Sequence, residues 1–268
     1  MRLRIQHTTV FTYNQPISEA YTEMRLAPMN NAGQRRMSFN LTTEPRGEVT
    51  LYTDRYNNEV HYFDVLQPHQ QLKVTASSEI ITADRFVDEQ SELSPLDQFD
   101  YLMPSHYSPA GSVFHEMALA SLVEGDPLGT ALALMHKVHN AIKYTRGVTD
   151  VKTKADKALQ LGQGVCQDYS HVMIAACRSI NLPVRYVSGY LHSAQATETG
   201  NAASHAWVDV FIPGPGWVSL DPTHNCQQTA KYVRVAIGRD YNDVPPTRGV
   251  YKGKSKEKME VFVKVKEV

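Results

Sequence analysis

From residue 2 to about residue 83, apolar and polar side chains alternate in five stretches: Arg4 to Tyr13, Met37 to Thr43, Val49 to Asp54, Asn58 to Leu66 and Gln71 to Ile81. A period of two puts alternate side chains on opposite faces of a strand, so each stretch predicts a strand with one face buried. Pro45-Arg46-Gly47 and Asn57-Asn58 supply turn residues between them. Together they predict an N-terminal β domain of sandwich type over residues 1–83. The next stretch, 84–111, shows neither period and is broken by Ser94-Pro95, Met103-Pro104 and Ser108-Pro109; it reads as a connection.

From residue 112 onward the period changes. Leu128, Ala131, Leu132, Met135, Val138 and Ile142 recur at helical spacing behind Asp126-Pro127, an N-cap followed by proline at the first helical position. Thr153 is expected to cap a short helix ending at Gly162. A third helix opens at Cys166 and carries Tyr169, Met173, Ala176 and Ile180 along one face before Leu182-Pro183 stops it. Strands are predicted near Val184 to Leu191, Ser204 to Ile212, Trp217 to Asp221, Tyr232 to Ile237 and Glu260 to Val265. The fold class is therefore α+β, with a core over 112–268 in which an antiparallel sheet packs on the helix that begins at Cys166. His192 to Ala203, all small and polar, reads as a surface loop or a flap beside His205.

Candidate chemistry sits in Gly162-Gln163-Gly164-Val165-Cys166-Gln167-Asp168, His205-Ala206-Trp207-Val208-Asp209 and Trp217-Val218-Ser219-Leu220-Asp221-Pro222-Thr223. These set a nucleophile, a base and an orienting acid in chain order: Cys166, His205 and Asp221. A thiol at a helix N-terminus meets the positive end of the helix dipole, which favours the nucleophilic thiolate. Gly162 and Gly164 allow a tight turn and close approach of a substrate to sulfur. Asp168 is expected to cap N–H groups of the first turn.

Period-two alternation puts His205, Trp207, Asp209 and Phe211 on one strand face and Ala206, Val208, Val210 and Ile212 on the other. For Asp221 to reach His205, the loop between the two strands must hold an odd number of residues or contain a bulge, because a one-residue slip flips every side chain; residue 205 is then expected opposite 221. Trp207 is a candidate cleft wall or a core aromatic. His171 is expected to be a packed helix residue and Asp209 a salt-bridge or solvent partner. Arg239 and Asp240 read as an ion pair or as part of the site lining.

These motifs resemble those of the transglutaminase-like superfamily of cysteine enzymes, from about Leu128 to Thr223. The first ~85 residues look like the N-terminal domain of bacterial transglutaminase-like proteins, and Gly238-Arg239-Asp240-Tyr241-Asn242-Asp243-Val244-Pro245-Pro246 looks like their C-terminal block. The resemblance implies a papain-like core and covalent acyl transfer: His205 takes the Cys166 proton, sulfur attacks an amide or ester carbonyl, Asp221 orients the imidazole, and a thioester follows. It also suggests Gln160 as an oxyanion donor, with Gln163 and Tyr144 as competitors, beside the Cys166 backbone N–H. Crosslinking members carry Gln before the Cys and an upstream Trp. Here Val165 precedes Cys166 and both tryptophans lie downstream, which favours hydrolysis of a peptide or protein amide. An arylamine acetyltransferase-like use of a small acyl donor and a catalytically silent binding protein stay open.

Composition narrows the classes. A net charge of −1 argues against a nucleic-acid surface or a polybasic membrane patch. No apolar run reaches bilayer length, and no signal-peptide core follows Met1. The three cysteines lack the paired spacing of a zinc site, so no metal and no cofactor are expected. Cys166 and Cys177, about 16 Å apart along one helix, are too distant to bridge. The unpaired thiols suit a reducing compartment, and the cytoplasm is the expected location.

Overall fold

The computed structural model describes residues 1–84, 92–193 and 204–268. Among them the first six strands are β1 (Arg2–Ile17), β2 (Glu19–Met24), β3 (Gln34–Glu44), β4 (Val49–Thr53), β5 (Glu59–Val65) and β6 (His69–Thr82). β2 has no counterpart among the predicted strands, although Ala20, Thr22 and Met24 alternate into the core. Helices α1 (Pro95–Leu102), α2 (Ser112–Leu119), α3 (Pro127–Ala141), α4 (Ala155–Leu161) and α5 (Cys166–Ser179) follow, with the short strands β7 (Lys143–Tyr144) and β8 (Gln163–Gly164) around α4. The chain ends with β9 (Val184–Leu191), β10 (Ser204–Ile212), β11 (Gly216–Asp221), β12 (Cys226–Gln227), β13 (Tyr232–Gly238), β14 (Thr247–Lys252) and β15 (Glu257–Glu267). None of the described helices is long and apolar enough to cross a membrane.

Two four-stranded antiparallel sheets, in the orders β15-β1-β6-β3 and β14-β2-β5-β4, face each other. Phe11, Leu72 and Val74 of one sheet and Ala20, Met24, Phe63 and Val65 of the other fill the space between them. The strand expected at Glu260–Val265 forms as β15, but it pairs with β1 along Leu3↔Glu267 to Tyr13↔Glu257, and β14 pairs with β2. Neither belongs to the sheet behind the Cys166 helix. An edge strand and its partner show the same alternation in sequence, so the pattern predicts a strand without naming its neighbour.

The third sheet, in the order β12-β11-β10-β9-β13, is antiparallel and covered on both faces. Ala206, Val208, Val210 and Ile212 lie in one core with residues of α5 and α3, on which α2 packs, and Leu3, Ile5, Val263 and Val265 of the sandwich join it. On the opposite face Trp207, Phe211, Trp217 and Tyr232 pack with Tyr56 and Tyr101. The two faces divide as the alternation predicts, and α5, the helix behind the sheet, is buried from Gln167 to Arg178.

β13 is an edge strand of this sheet, and its open side is closed by two side-chain amides from the sandwich. Gln34 accepts from Arg234 N at 2.8 Å and donates to Arg234 O at 2.7 Å. Asn58 repeats the pattern with Ile237, at 2.8 Å in both directions. Each amide supplies the donor and acceptor that a neighbouring strand would supply, which satisfies buried backbone and blunts the edge.

Two helix starts differ from expectation. Ser94-Pro95 begins α1: Ser94 Oγ accepts from Asp97 N at 3.1 Å and Pro95 occupies the first turn, so this proline initiates a helix within the expected connection. Lys154, not Thr153, is the N-cap of α4, because the Thr153 hydroxyl is engaged with Asp150. Asp126 caps α3 and Gly162 closes α4 in the left-handed conformation at φ 60°, both as expected.

Candidate active site

Cys166 is the first residue of α5, where backbone N–H groups have no partner within the helix. Its turn is held by Asp168, which reaches back to accept from Val165 N at 2.7 Å while its Oδ2 also takes the Thr149 hydroxyl at 2.7 Å. This is the acidic half of a capping box. Burial raises the Asp168 pKa against these bonds. A Cβ on Gly164 would lie 2.6 Å from Asp168 Oδ2, so this glycine makes room for the capping carboxylate; its bare Cα is not left open for substrate. Gln167 donates to Val151 O at 3.1 Å and pins the loop before α4 onto the same helix start.

The β10–β11 turn holds residues 213–215, an odd number, with Gly214 and Gly216 at positive φ (92° and 80°). The register runs from Ile212↔Gly216 to Val208↔Leu220. Continued, it sets Asp221 across from Trp207 and diagonal to His205, on the same face. The expectation of direct opposition is thus corrected by two residues, and diagonal neighbours in a sheet remain within reach of long side chains. His205 Nε2 donates to Asp221 Oδ2 at 2.7 Å. The Cys166 thiol acts on the same ring by hydrogen bonding and charge, so that Cys166, His205 and Asp221 lie together.

Their electrostatics follow from burial and from these bonds. Burial works to lower the His205 pKa, but the hydrogen bonds to Asp221 and Cys166 and the charges on both outweigh it and raise the ring to about 10. Asp221 is fully buried; burial works to raise it, but the hydrogen bonds from His205 and His224 hold its carboxyl far below the usual carboxylate range. The arrangement can hold an imidazolium against sulfur at neutral pH.

Two partners of Asp221 were not foreseen. His224 Nδ1 and the Tyr232 hydroxyl each donate to the same Oδ2 at 2.7 Å. His224 lies in the turn that follows the Asp-Pro-Thr segment, and Tyr232 enters from β13; no short motif links them. His205, Asp221 and His224 bring three atoms of metal-ligating type, two imidazole nitrogens and a carboxylate oxygen, within 4.8 Å of one another. Both imidazoles already donate to Asp221, and these bonds account for the convergence.

The remaining candidates fall elsewhere. Gln160 is exposed on α4, where its side chain accepts from Lys157 Nζ at 3.2 Å. Its six-residue separation from the cysteine spans the Gly162 cap and β8, which turn the chain. Trp207 is 0% exposed and cannot wall an open cleft. It packs behind His205, with ring centroids 6.1 Å apart. His171 is buried, stacks on Tyr107 and accepts from Tyr241 N at 3.2 Å; burial and the Arg178 charge lower its pKa to about 3. Arg239 pairs with Asp243 at 2.9 Å, while Asp240 accepts from Tyr107 N and Asn242 N. Most of the His192–Ala203 segment lies outside the described residues.

Residues 118–222 match the family described as the transglutaminase-like superfamily, and residues 3–81 match the bacterial transglutaminase-like N-terminal region. An uncharacterized protein of Mycobacterium leprae is 32% identical over 275 residues, covering 98% of each chain. A protein-glutamine gamma-glutamyltransferase of Pseudomonas aeruginosa is 27% identical over 146 residues, which cover 50% of this chain and 21% of that protein. A solved structure from Cytophaga hutchinsonii, provisionally described as a cysteine protease, shares the fold with a TM-score of 0.76 at 20% identity, covering 100% of this chain and 92% of that one.

Proposed function

Because this chain belongs to the transglutaminase-like superfamily and carries the bacterial transglutaminase-like N-terminal region, we propose that it is a cysteine enzyme that moves the acyl group of a peptide or protein amide to water through Cys166, His205 and Asp221. The observation that carries this reading is the hydrogen bond from His205 to Asp221, with the same imidazole also bonded to Cys166 and its pKa raised to about 10. A proton held on the ring leaves sulfur as the nucleophile.

The Cys166 thiolate attacks the carbonyl carbon, and the negative charge that develops on the carbonyl oxygen faces the Cys166 N–H at the start of α5. The imidazolium then gives its proton to the leaving nitrogen as the C–N bond breaks, which leaves a thioester. His205, now neutral, takes a proton from water as the hydroxide adds to the thioester; the carboxylic acid departs and the proton returns to the thiol–imidazole pair. Asp221 keeps the ring oriented throughout. Val165 in front of Cys166 favours water over an amine as the acceptor. The unpaired thiols Cys166, Cys177 and Cys226 support a reducing location, the cytoplasm.

The test is a peptide-amide library offered with and without a primary amine, read by mass spectrometry for acylated Cys166 and for released products. Hydrolysed product in both arms is expected, with none from Cys166→Ala. Transfer to the amine in preference to water would replace hydrolysis by crosslinking, and an unchanged rate in Cys166→Ala would end the reading.

A further inference from the structure

Asp221 holds more donors than the proposed triad requires. Its Oδ1 accepts the backbone N–H groups of Thr223 at 2.8 Å and His224 at 3.3 Å, which fix the carboxylate in place from the turn. Its Oδ2 accepts from His205 Nε2, His224 Nδ1 and Tyr232 Oη, each at 2.7 Å. Of the two imidazoles on that oxygen, His205 is 7% exposed at its side chain and His224 is 50% exposed. Tyr232 is buried edge-on against Trp207 at 5.3 Å and contacts Cys226 Sγ at 3.4 Å.

Donors that share one carboxylate oxygen compete for its negative charge, and each weakens the hold of the oxygen on the others. We propose that His224 and Tyr232 are positioning residues that act on the triad through Asp221: by dividing Oδ2 with His205, they limit how firmly the imidazolium is held. The role rests on the triad reading above. Because Oδ1 is anchored by backbone, removing either side-chain donor leaves the carboxylate in place and returns charge to His205. Among the described residues, the charged and titratable groups facing His224 are Asp221 and His205 on its inner side, and Cys226, Tyr232, Lys231 and His192 around a cleft of about 470 Å³ on its outer side. His136 of α3 approaches the same turn through Asn225.

The experiment follows the His205 ring by NMR in the full chain with ring-labelled histidine, titrated to pH 11 and assigned by the signal lost in His205→Gln. The His205 midpoint is expected well above the ordinary value of ~6.5. His224→Ala and Tyr232→Phe are each expected to raise it further, by about half a unit, which is roughly threefold in the ratio of imidazolium to imidazole at fixed pH. His224→Gln, which keeps an N–H donor, should stay nearer the parent. A merely structural role for the two residues loosens the site and lowers the midpoint; a midpoint unmoved or lowered in both single variants overturns the proposal while leaving the triad. A midpoint near ~6.5 in the unsubstituted chain overturns both.

Discussion

Asp209 lies on the same strand face as His205, two residues beyond Trp207, and is fully buried between two guanidinium groups. Arg185 Nε donates to it at 2.8 Å, Arg234 grips it with both terminal nitrogens, one at 2.8 Å, and Ser219 Oγ donates at 2.6 Å. The cations in turn lie over the sheet's two tryptophans, Arg185 at 4.1 Å from the Trp217 ring and Arg234 at 6.0 Å from Trp207. Replacing Asp209 by Asn conserves volume but removes the charge and turns an amide donor toward donors. Breaking a buried pair by removing one partner costs about 3–5 kcal/mol, since the surviving charge stays buried. At 2–4 °C per kcal/mol for chains near this size, the melting temperature should fall by roughly 6–20 °C. Urea unfolding at pH 7 would read the same loss, and an Asp209→Asn/Arg234→Met double variant should lose less than the sum of the singles. Burial works to raise the Asp209 carboxyl, but Arg234 and Arg185 hold it far below the usual range. A lowered folded pKa contributes stability that is present above the unfolded value of ~3.9 and lost as pH falls toward the folded one. A single variant within about 1 kcal/mol of the parent would refute this account of the cluster.

Other consequences can be checked with the same tools. Gly164→Ala should destabilise the chain and slow alkylation of Cys166 by iodoacetamide, because the new methyl strikes the Asp168 carboxylate; unchanged unfolding would show that the cap can shift. Gln160→Ala should leave both stability and alkylation at parental values, and a slowed reaction would return Gln160 to the site. Asn58→Leu unpairs the N–H and C=O of Ile237 and should cost about 2–4 kcal/mol in chemical unfolding, while a cost below about 0.5 would deny the amide its edge-closing role. Burial lowers His7 to about 4, and burial with the Arg178 charge lowers His171 to about 3. Both rings bind protons more readily when unfolded, so their contribution to stability should be constant above pH ~6.5, and stability should fall by several kcal/mol as pH drops from there toward 3–4; a curve flat between pH ~6.5 and 3–4 would contradict the burial of both rings.

Much of the site is legible in the chain because it is local. The glycine turn before Cys166, the helix it opens, the alternation of β10 and the odd turn into β11 each follow from a few adjacent residues, and together they bring 166, 205 and 221 to one place. What is not legible depends on partners distant in sequence. His224 is three residues from Asp221, yet its donation depends on the turn after the strand; Tyr232 arrives on a strand from the far edge of the sheet. The bond of Gln160 to Lys157 on the exposed side of α4 likewise does not follow from a spacing in related enzymes. Gly164 illustrates another limit: a glycine can be required by substrate or by a neighbouring side chain, and only the position of the Asp168 carboxylate distinguishes the two. Alternation likewise predicts β15 without showing that its neighbour is β1.

The return of β14 and β15 to the first sheets makes the chain a loop closed by hydrogen bonds, with Leu3 opposite Glu267 and Val268 N bonded to Arg2 O at 3.0 Å. The segment bearing Cys166 and His205 is therefore an insertion clasped at both of its ends by one sandwich. Cutting it out at either junction would strip Gln34 and Asn58 from β13 and present that bare border to any other chain with unmatched amides.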